Sequence, residues 1–474
     1  MKRIPLISIA ILVIGAALRI AHYALNRSLW LDEAMLAKHV TAKGFLELLR
    51  PLEDQAAPIT FLWFSRLSVV TFGRSEFALR LVPLLCGLAS LPLLYFIAKR
   101  FLSGWLVPIA CAAFSFSPVL VFYSEEFKQY SGDVFAALAL TLLGLIALDE
   151  GNVSRRSVLL LCLAGGAAVF FSYPSLFILA GIGLTLLAAK LLGNAEISFS
   201  RLVVIATVWL GCAGINYFFF LRGVYAISGI EGYWREGFLP LPLSIGAVKT
   251  WAIAGSQFLT YAGFHVIWQG LLIALITIAV FFAITDKKLS TILFGCYFAF
   301  AQIASLLGKF PFRERQVLFL IPFVALLVAK GVEVVAKQRL ALVGALAICL
   351  IAPSLNSLRF LTANQMPREE IKPLLSYLDA HRQPSDGVYV YYGAAPAVRY
   401  YQPPANYHFG IASRLDRSRY LDDLKALESQ QRVWLLFSHV YQDEDAFMVS
   451  QSGGQVLETQ RAHGASLYLV APAR

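Results

Sequence analysis

The stretch GRSEFALRLVPLLCGLASLPLLYFIAKRFLSG (Gly73–Gly104) contains an apolar run near 79–98 that ends at Lys99 and Arg100. A run of about 20 apolar residues is the length that an α-helix needs to cross the hydrocarbon core of a bilayer. The stretch therefore predicts a membrane-spanning helix, and this prediction sets the fold class for the chain around it.

Runs of the same kind recur along most of the 474 residues. Hydrophobic residues make up 58% of the sequence and charged residues only 15%, whereas an ordinary soluble domain has roughly 25% charged residues. The composition excludes a typical globular protein, a disordered chain and a fibrous repeat. Window hydropathy predicts a polytopic α-helical membrane protein with about 11 spans, near 4–24, 79–98, 104–122, 133–149, 156–172, 175–191, 201–221, 264–284, 289–307, 316–334 and 340–358.

The basic residues of the short loops predict the orientation of these spans. The net charge is +11, and the first 358 residues contain the whole excess. Basic residues in short loops mark the cytoplasmic side, and here they share the side of the N-terminus: Lys99–Arg100, Arg155–Arg156, Lys190, Arg201, Lys287–Lys288, Lys337 and Arg339. An odd number of spans then places the tail on the outer side.

The sequence thus predicts two domains, a transmembrane catalytic domain over 1–358 and a small periplasmic α/β domain over 359–474. In the tail, Glu369–His381 and Tyr420–Gln430 have helical spacing, whereas Gly387–Gly393, Arg432–Ser438 and Ser466–Ala471 are strand-like. Alternating strands and helices predict a sheet that is covered on both faces.

The first outer loop, about 25–78, contains two amphipathic stretches near 39–50 and 58–72. Both are predicted to be juxtamembrane helices that lie in the interface without crossing it. Another outer loop is predicted at about 222–250.

Acidic and basic residues are concentrated in the outer loops, where we identify Asp32, Glu33, Asp54, Glu125, Glu126, Lys128, Tyr130, Arg313 and Arg315 as candidate site residues. A carboxylate in a partly desolvated site has a raised pKa and is a better base toward a hydroxyl acceptor. Lysine or arginine at the bilayer surface can neutralise a departing lipid phosphate. The pattern favours group transfer from a lipid phosphate.

The same residues also have purely structural interpretations. The Asp32–Glu33 pair could cap a juxtamembrane helix, since acids are favoured in the first turn. The Glu125–Glu126 pair could form a solvated loop with a salt bridge to Lys128. Arg313 and Arg315 could be interfacial anchors, which is the commoner role of such residues.

Several other classes of protein lose support from the sequence. It contains no Walker loop, HExxH or GxSxG motif, which argues against ATP-driven transport, zinc proteolysis and serine hydrolysis. No nucleic-acid module is recognisable. All six cysteines fall inside apolar spans and none forms a CxxC pair, so neither a disulfide framework nor a redox centre is predicted.

Four stretches, in this order, resemble motifs of the GT-C superfamily of glycosyltransferases: LWLDEAMLA (Leu29–Ala37), Gly73–Gly104, FYSEEFKQY (Phe122–Tyr130) and FRERQVLFLIPFVALLVAKG (Phe312–Gly331). The superfamily includes protein O-mannosyltransferases and the aminoarabinose and galacturonic acid transferases that modify lipopolysaccharide. The resemblance covers most of the chain. It implies a GT-C-like fold and an inverting enzyme that uses polyprenyl-phosphate sugars rather than nucleotide sugars.

The resemblance also implies roles for individual residues. Asp32 of the first motif corresponds to the catalytic base, with Glu33 beside it in the substrate site. The second motif implies Glu126 and Glu125 as groups that position the acceptor or assist the base. Lys128 and Tyr130 follow in the same motif, and the late motif implies Arg313 and Arg315 at the lipid phosphate.

The chain departs from the family pattern at three places. Asp54–Pro58 reads DQAAP where many relatives have Asp-x-His-Pro-Pro, so the histidine and one proline are missing. Glu125 replaces a glutamine, and two adjacent acids could hold a divalent cation or share one proton. Gln316 stands where a tyrosine is usual. No metal ligand is assigned, and a divalent cation is left open.

The expected function is transfer of a sugar from an undecaprenyl-phosphate carrier to a cell-envelope acceptor, a lipid-linked glycan or lipopolysaccharide, at the periplasmic face of the bacterial inner membrane. The expected partners are the lipid-linked donor, a glycan or glycolipid acceptor and membrane lipids, with no nucleic acid. Three alternatives stay open: a protein O-glycosyltransferase, a transporter or flippase of polyprenyl-linked sugars, and a non-catalytic scaffold that displays the tail. Transporters tend to place polar groups at the midplane on broken helices, whereas these charges fall at the ends of spans.

Overall fold

The computed structural model describes residues 3–53, 55–223, 234–264, 266–285, 289–335, 369–401, 407–411 and 417–471. The chain divides into two compact units. The first consists of Met1–Leu25, Gly44–Gly73 and Phe77–Thr362, and the second consists of Asn26–Lys43, Arg74–Glu76 and Ala363–Arg474. The second unit therefore contains a segment of the first outer loop as well as the tail.

The regular elements in the described residues of the first unit are helices. Its helices are Arg3–Ala24, Ile59–Phe72, Glu76–Phe101, which begins at the unit boundary, Leu106–Ser115, Pro118–Tyr123, Tyr130–Asp149, Arg155–Phe171, Ser175–Leu191, Phe199–Asn216, Ile245–Tyr261, Val266–Thr285, Leu289–Leu306 and Ile321–Val335. A π-helical turn, Tyr217–Leu221, extends one of them, and a 3₁₀ segment, Glu314–Leu320, leads into the last.

Six helices among the described residues are long and apolar enough to cross a membrane. Four further apolar helices are shorter, at Ile59–Phe72, Leu106–Ser115, Ser175–Leu191 and Trp268–Phe282. Ten of the predicted spans coincide with helical segments, which confirms a multi-pass helical membrane protein. The eleventh, 340–358, lies outside the described residues, and the total number of spans stays a prediction.

Three predicted segments differ from the structure. The span at 104–122 is two helices, because Pro118 has no N–H to continue the first helix and starts the second. The interfacial helix expected at 39–50 is not one continuous helix. The helix Leu31–Ala42 ends within this stretch, and a 3₁₀ turn follows at Glu47–Leu49. The loop at 222–250 contains the start of the helix Ile245–Tyr261.

Small residues let these helices approach closely, as is common between membrane helices. A Cβ atom added at Gly15 would lie 2.6 Å from the Cβ atom of Ser115. At Gly331 an added Cβ atom would collide with the backbone carbonyl of Leu275. Packing at these positions fixes the helices that position the polar residues described below.

The second unit is an α/β domain built on one five-stranded sheet, with strands β1 (Gly387–Val390), β2 (Tyr407–Phe409), β3 (Val433–Ser438), β4 (Gln455–Ala462) and β5 (Ala465–Ala471) in the order β2-β1-β3-β5-β4. The pairs β1–β2 and β1–β3 are parallel, whereas β3–β5 and β4–β5 are antiparallel. Every residue of β3 is buried, as expected for a strand covered on both faces.

The α/β architecture of the tail is confirmed, although the sequence patterns missed four of its elements. These are the helices Ala395–Tyr401 and Glu444–Gln451 and the strands β2 and β4. The helix Leu31–Ala42 belongs to the same unit and packs against Ala395–Tyr401. The predicted boundary at residue 358 stays a prediction.

Candidate functional site

The candidate residues divide between the two units, and each set is described within its own unit. Asp32 and Glu33 lie in the second unit, whereas Glu125, Glu126, Lys128, Tyr130, Arg313 and Arg315 lie in the first. Asp54 lies outside the described residues.

Asp32 and Glu33 form the first turn of the helix Leu31–Ala42. Glu33 is fully buried, and its carboxylate accepts a long hydrogen bond from the Trp30 N–H at 3.4 Å. Glu33 therefore has the capping role that its position suggests, since it satisfies an amide that the helix leaves open. Asp32 is only partly buried.

The turn before Asp32 is held by side chains of the tail. The Leu31 N–H donates to Glu369 at 3.1 Å, the Leu29 N–H to the Tyr401 hydroxyl at 2.7 Å, and the Ser28 N–H to Glu370 at 3.1 Å. Three amides within four residues are thus bound by groups more than 300 positions further along the sequence.

In the first unit, a short loop between the helices Pro118–Tyr123 and Tyr130–Asp149 bears Glu125, Glu126 and Lys128. Glu125 is 1% exposed, Glu126 0% and Lys128 4%. The solvated-loop interpretation is therefore wrong for these residues. A buried carboxylate is costly unless charge or hydrogen bonds compensate it, and such groups occur preferentially at functional sites.

The loop lies against the helix Glu76–Phe101 because a glycine is present there. A Cβ atom added at Gly87 would collide with the Cβ atom of Ser124. On the same face the Ser131 hydroxyl donates to the carbonyl of Pro83 at 2.9 Å. These contacts fix both ends of the loop that bears the carboxylates.

Neighbouring elements contribute polar partners to this loop. The His22 Nδ1 atom lies 3.8 Å from a carboxylate oxygen of Glu125, and both side chains are buried. The Lys128 ammonium donates a short hydrogen bond to the side-chain oxygen of Gln55. The residue that follows Asp54 in the atypical DQAAP stretch thus contacts the second motif directly.

Arg315 lies among aromatic side chains. Its guanidinium carbon is 5.6 Å from the ring centroid of Tyr130 and 5.8 Å from that of Trp234, within the range of cation–π attraction. The Tyr130 ring also packs edge-on against Tyr123, with centroids 5.2 Å apart. The arginine is therefore held beside the start of the helix Tyr130–Asp149.

Glu126 and Arg315 both influence the pKa of Tyr261, whose hydroxyl is hydrogen-bonded to that of Tyr123. The Tyr261 hydroxyl donates to the Tyr123 hydroxyl at 2.8 Å. Burial raises the pKa of Tyr261, the charge of Glu126 acts in the same direction, and Arg315 opposes it. Tyr261 is therefore a neutral phenol and a hydrogen-bond donor at physiological pH. The cluster brings a buried acid, an arginine and two phenols into one electrostatic neighbourhood.

Arg313 is placed differently. Its side chain is 40% exposed, and it pairs with Glu314 at 3.0 Å and with Glu236 at 3.8 Å. Glu314, between the two arginines, has a left-handed backbone with φ of +47°. Arg313 and Arg315, which the late motif groups together, thus have different partners.

No group of three or more histidine, cysteine or acidic side chains suited to a metal ion comes together among the described residues. We therefore assign no chemical step to a metal.

Sequence reasoning missed several residues of these clusters. The sequence alone assigns no role to His22, Tyr123, Tyr261 or Trp234. The signal available for His22 was its polarity near the end of a mostly apolar first helix. For Glu369 and Tyr401 no local signal exists, because their role depends on long-range contacts.

Comparison with known proteins places this geometry in context. The model of the dolichyl-phosphate-mannose-protein mannosyltransferase family matches residues 56–212. None of the curated protein sequences matches the chain. Among solved structures, the chain is similar to ArnT from Cupriavidus metallidurans bound to undecaprenyl phosphate, with 13% identity, a TM-score of 0.51 and coverage of 98% of both chains.

Two structures from the archaeon Archaeoglobus fulgidus are also similar. One is its oligosaccharyltransferase in complex with zinc and sulfate, with 13% identity, a TM-score of 0.56 and coverage of 90% of this chain and 67% of that one. The other is the oligosaccharyltransferase AglB in complex with an inhibitory peptide and a dolichol-phosphate, with 13% identity, a TM-score of 0.56 and coverage of 98% and 74%. The family match over residues 56–212 and the shared fold confirm the predicted resemblance to the GT-C superfamily.

Proposed function

We propose that the protein transfers a single sugar from an undecaprenyl-phosphate carrier to a lipid-linked glycan or lipopolysaccharide acceptor, with inversion, at the periplasmic face of the bacterial inner membrane. The observation that carries the proposal is the cluster of buried Glu126 and Tyr123 with half-buried Arg315 and Tyr261 in a chain with this fold. The neighbours bound to undecaprenyl phosphate and dolichol-phosphate support a lipid-linked donor.

Asp32 is the base in this proposal. Its carboxylate takes the proton of the acceptor hydroxyl while the oxygen attacks the anomeric carbon of the donor. The bond between that carbon and the phosphate oxygen breaks, and its electron pair leaves with the lipid phosphate. The products are the glycosylated acceptor, free polyprenyl phosphate and a proton released from Asp32, so atoms and charge balance.

The residues of the first unit are assigned the remaining roles. Arg315 stabilises the charge that develops on the departing phosphate, because a guanidinium binds phosphate oxygens in a forked geometry. Lys128 contributes further positive charge, and Arg313 has a weaker role at the exposed rim. Glu126 and Glu125 orient the acceptor. Tyr130 holds the arginine in place.

The distribution of charge argues against the flippase alternative. Glu125, Glu126 and Lys128 lie in a loop between two helices, and Arg315 precedes the helix Ile321–Val335. Transport sites are typically formed by broken helices at the midplane, whereas helix ends suit chemistry at the surface of the bilayer. A protein acceptor in place of a glycan would require the same chemistry, so the acceptor class is decided by assay.

The test is a reconstituted transfer assay. The purified protein is incubated in liposomes with a panel of polyprenyl-phosphate sugars and a cell-envelope lipid extract, and products are followed by mass spectrometry. We expect new glycolipid and free polyprenyl phosphate from the wild type and neither from Asp32→Asn. Movement of the carrier across the bilayer without transfer would support a flippase instead, and near-normal turnover by Asp32→Asn would refute the assignment of the base.

A further inference from the structure

The turn that presents Asp32 is bound to the tail domain through its backbone. Ser28, Leu29 and Leu31 each donate a backbone N–H to a side chain from the tail. The Ser28 hydroxyl donates to Glu370 at 2.9 Å and accepts from the Lys372 N–H at 3.1 Å. All of these residues belong to the second unit. The segment before Asp32 thus owes its shape largely to side chains outside its own sequence.

Glu369 occupies the most direct position in this network. One carboxylate oxygen accepts from the Leu31 N–H, immediately before Asp32, and the other is bonded to the Nδ1 atom of His439 at 2.5 Å. The Nε2 atom of the same ring is bonded to the Tyr441 hydroxyl at 2.6 Å. Both carboxylate oxygens of Glu369 are therefore hydrogen-bonded, and the bond to His439 fixes the orientation of the carboxylate toward the Leu31 N–H.

A second set of contacts holds the start of the segment. The Lys372 ammonium donates to the Asn26 carbonyl at 2.6 Å and to Glu76 at 2.8 Å. The Tyr401 hydroxyl, which accepts from the Leu29 N–H, donates to Glu76 at 3.0 Å. Lys372 and Tyr401 thus each contact the segment before Asp32, and both donate to the carboxylate of Glu76.

We propose that Glu369 is a positioning residue that fixes the first turn of the helix Leu31–Ala42, and with it the carboxylate of Asp32, for reaction. Hydrogen bonds to a charged acceptor are the stronger kind, and here one acts on the amide adjacent to the base. The tail domain is then a part of the catalytic apparatus that sets the geometry of the base, in addition to any part in binding. The inference rests on the proposed role of Asp32.

A positioning role for Glu369 predicts a different kinetic effect from that of a purely stabilising contact. Displacement of a catalytic group by about 1 Å can lower the rate by about 100-fold without loss of substrate affinity. We therefore expect Glu369→Ala to lower kcat by about 10- to 100-fold, while the KM for donor stays within about twofold and the unfolding temperature changes little. Glu369→Gln keeps the shape and one acceptor oxygen, so it should retain more activity than Glu369→Ala.

The matched control is Asp422→Asn in the same unit. Asp422 is exposed, and its carboxylate pairs with the exposed Lys425 at 3.3 Å, so its loss should leave kcat unchanged. Hydrogen exchange over residues 26–36 provides a second readout that does not need turnover. Exchange there should be faster in Glu369→Ala than in the wild type or in Asp422→Asn.

The outcomes separate the inference from the proposed function. Wild-type kcat in Glu369→Ala, or a loss of activity that only follows a loss of folded protein, would overturn the positioning role even when Asp32→Asn is inactive. An inactive wild type, or an active Asp32→Asn, would instead overturn the proposed function. In that case unchanged exchange over 26–36 in Glu369→Ala would also refute the structural part of the inference.

Discussion

The two arginines of the FRERQ stretch should have very different effects on transfer when each is replaced by alanine. Arg315 lies beside the Tyr130 and Trp234 rings and in the electrostatic neighbourhood of Glu126. Arg313 is 40% exposed, and its partners Glu314 and Glu236 are also exposed. The sequence motif gives both arginines the same role, so a comparison of the two alanine variants tests the different surroundings that the structure gives them.

The expected magnitudes follow from these surroundings. Removing one preorganised donor from a developing negative charge costs about 3–4 kcal/mol, or roughly 10²- to 10³-fold in rate. We expect Arg315→Ala to reduce kcat/KM by this amount. An exposed ion pair contributes about 0–1 kcal/mol, so Arg313→Ala should change kcat/KM by less than about fivefold.

The assay is initial-rate sugar transfer in liposomes at matched protein content, with release of polyprenyl phosphate measured in the same samples. Arg315→Lys provides a finer comparison, because it keeps the charge but loses the planar fork. Its activity should fall between those of the wild type and Arg315→Ala. Equal losses in Arg313→Ala and Arg315→Ala, or full activity in Arg315→Ala, would refute the reasoning.

Three further predictions concern activity and packing. Glu126→Gln keeps the shape of a buried side chain but loses its charge, so transfer should fall by about 100-fold while the thermal unfolding profile is retained; a full rate would contradict the role of the carboxylate. Gly87→Ala places a Cβ atom against Ser124 and should destabilise the protein by about 1–3 kcal/mol in a detergent unfolding assay. The control Gly211→Ala, whose added Cβ atom would have nothing within 4 Å, should not destabilise it. Equal stability of the two variants would show that the close approach at Gly87 is unimportant. Asp423→Ala removes the acceptor of the Tyr389 hydroxyl and should lower the free energy of unfolding of the tail by about 1–3 kcal/mol. The unfolding can be followed by the fluorescence of Trp434. An unchanged free energy would mean that this buried hydrogen bond contributes little.

Much of the helical fold could be predicted from hydropathy, since a bilayer selects for apolar runs of a fixed length. The predicted span 4–24 corresponds to Arg3–Ala24, and 133–149 to Tyr130–Asp149. Pro118 alone does not predict the end of a helix, because proline is tolerated within many membrane helices. The helix Glu76–Phe101, for example, contains Pro83 and Pro92 without ending.

The helix Leu31–Ala42 was harder to predict because its start depends on distant groups. Its first amides are satisfied by Glu33 from within the turn and by Glu369 from the tail. A local pattern cannot reveal the second contact, so the sequence placed an amphipathic helix at 39–50 instead. The short strand β2 was missed for a similar reason, since three residues are too few for a periodic signal.

The candidate site shows the same division between local and long-range information. The carboxylates of Glu125 and Glu126 were identifiable from their motif, but their complete burial was not, because it results from packing against Gly87 and neighbouring helices. The different surroundings of Arg313 and Arg315 were equally hidden. Glu314, which lies between them, has a left-handed backbone, and this conformation is uncommon for a non-glycine residue.

The central claim is that a carboxylate base drives a single displacement at the anomeric carbon of a lipid-linked sugar. The most direct test is the anomeric configuration of the product, determined by NMR after transfer from a donor of known configuration by the reconstituted wild-type protein. The account predicts an inverted linkage and one free polyprenyl phosphate for each sugar transferred. A product with retained configuration, or transfer without release of polyprenyl phosphate, would contradict it.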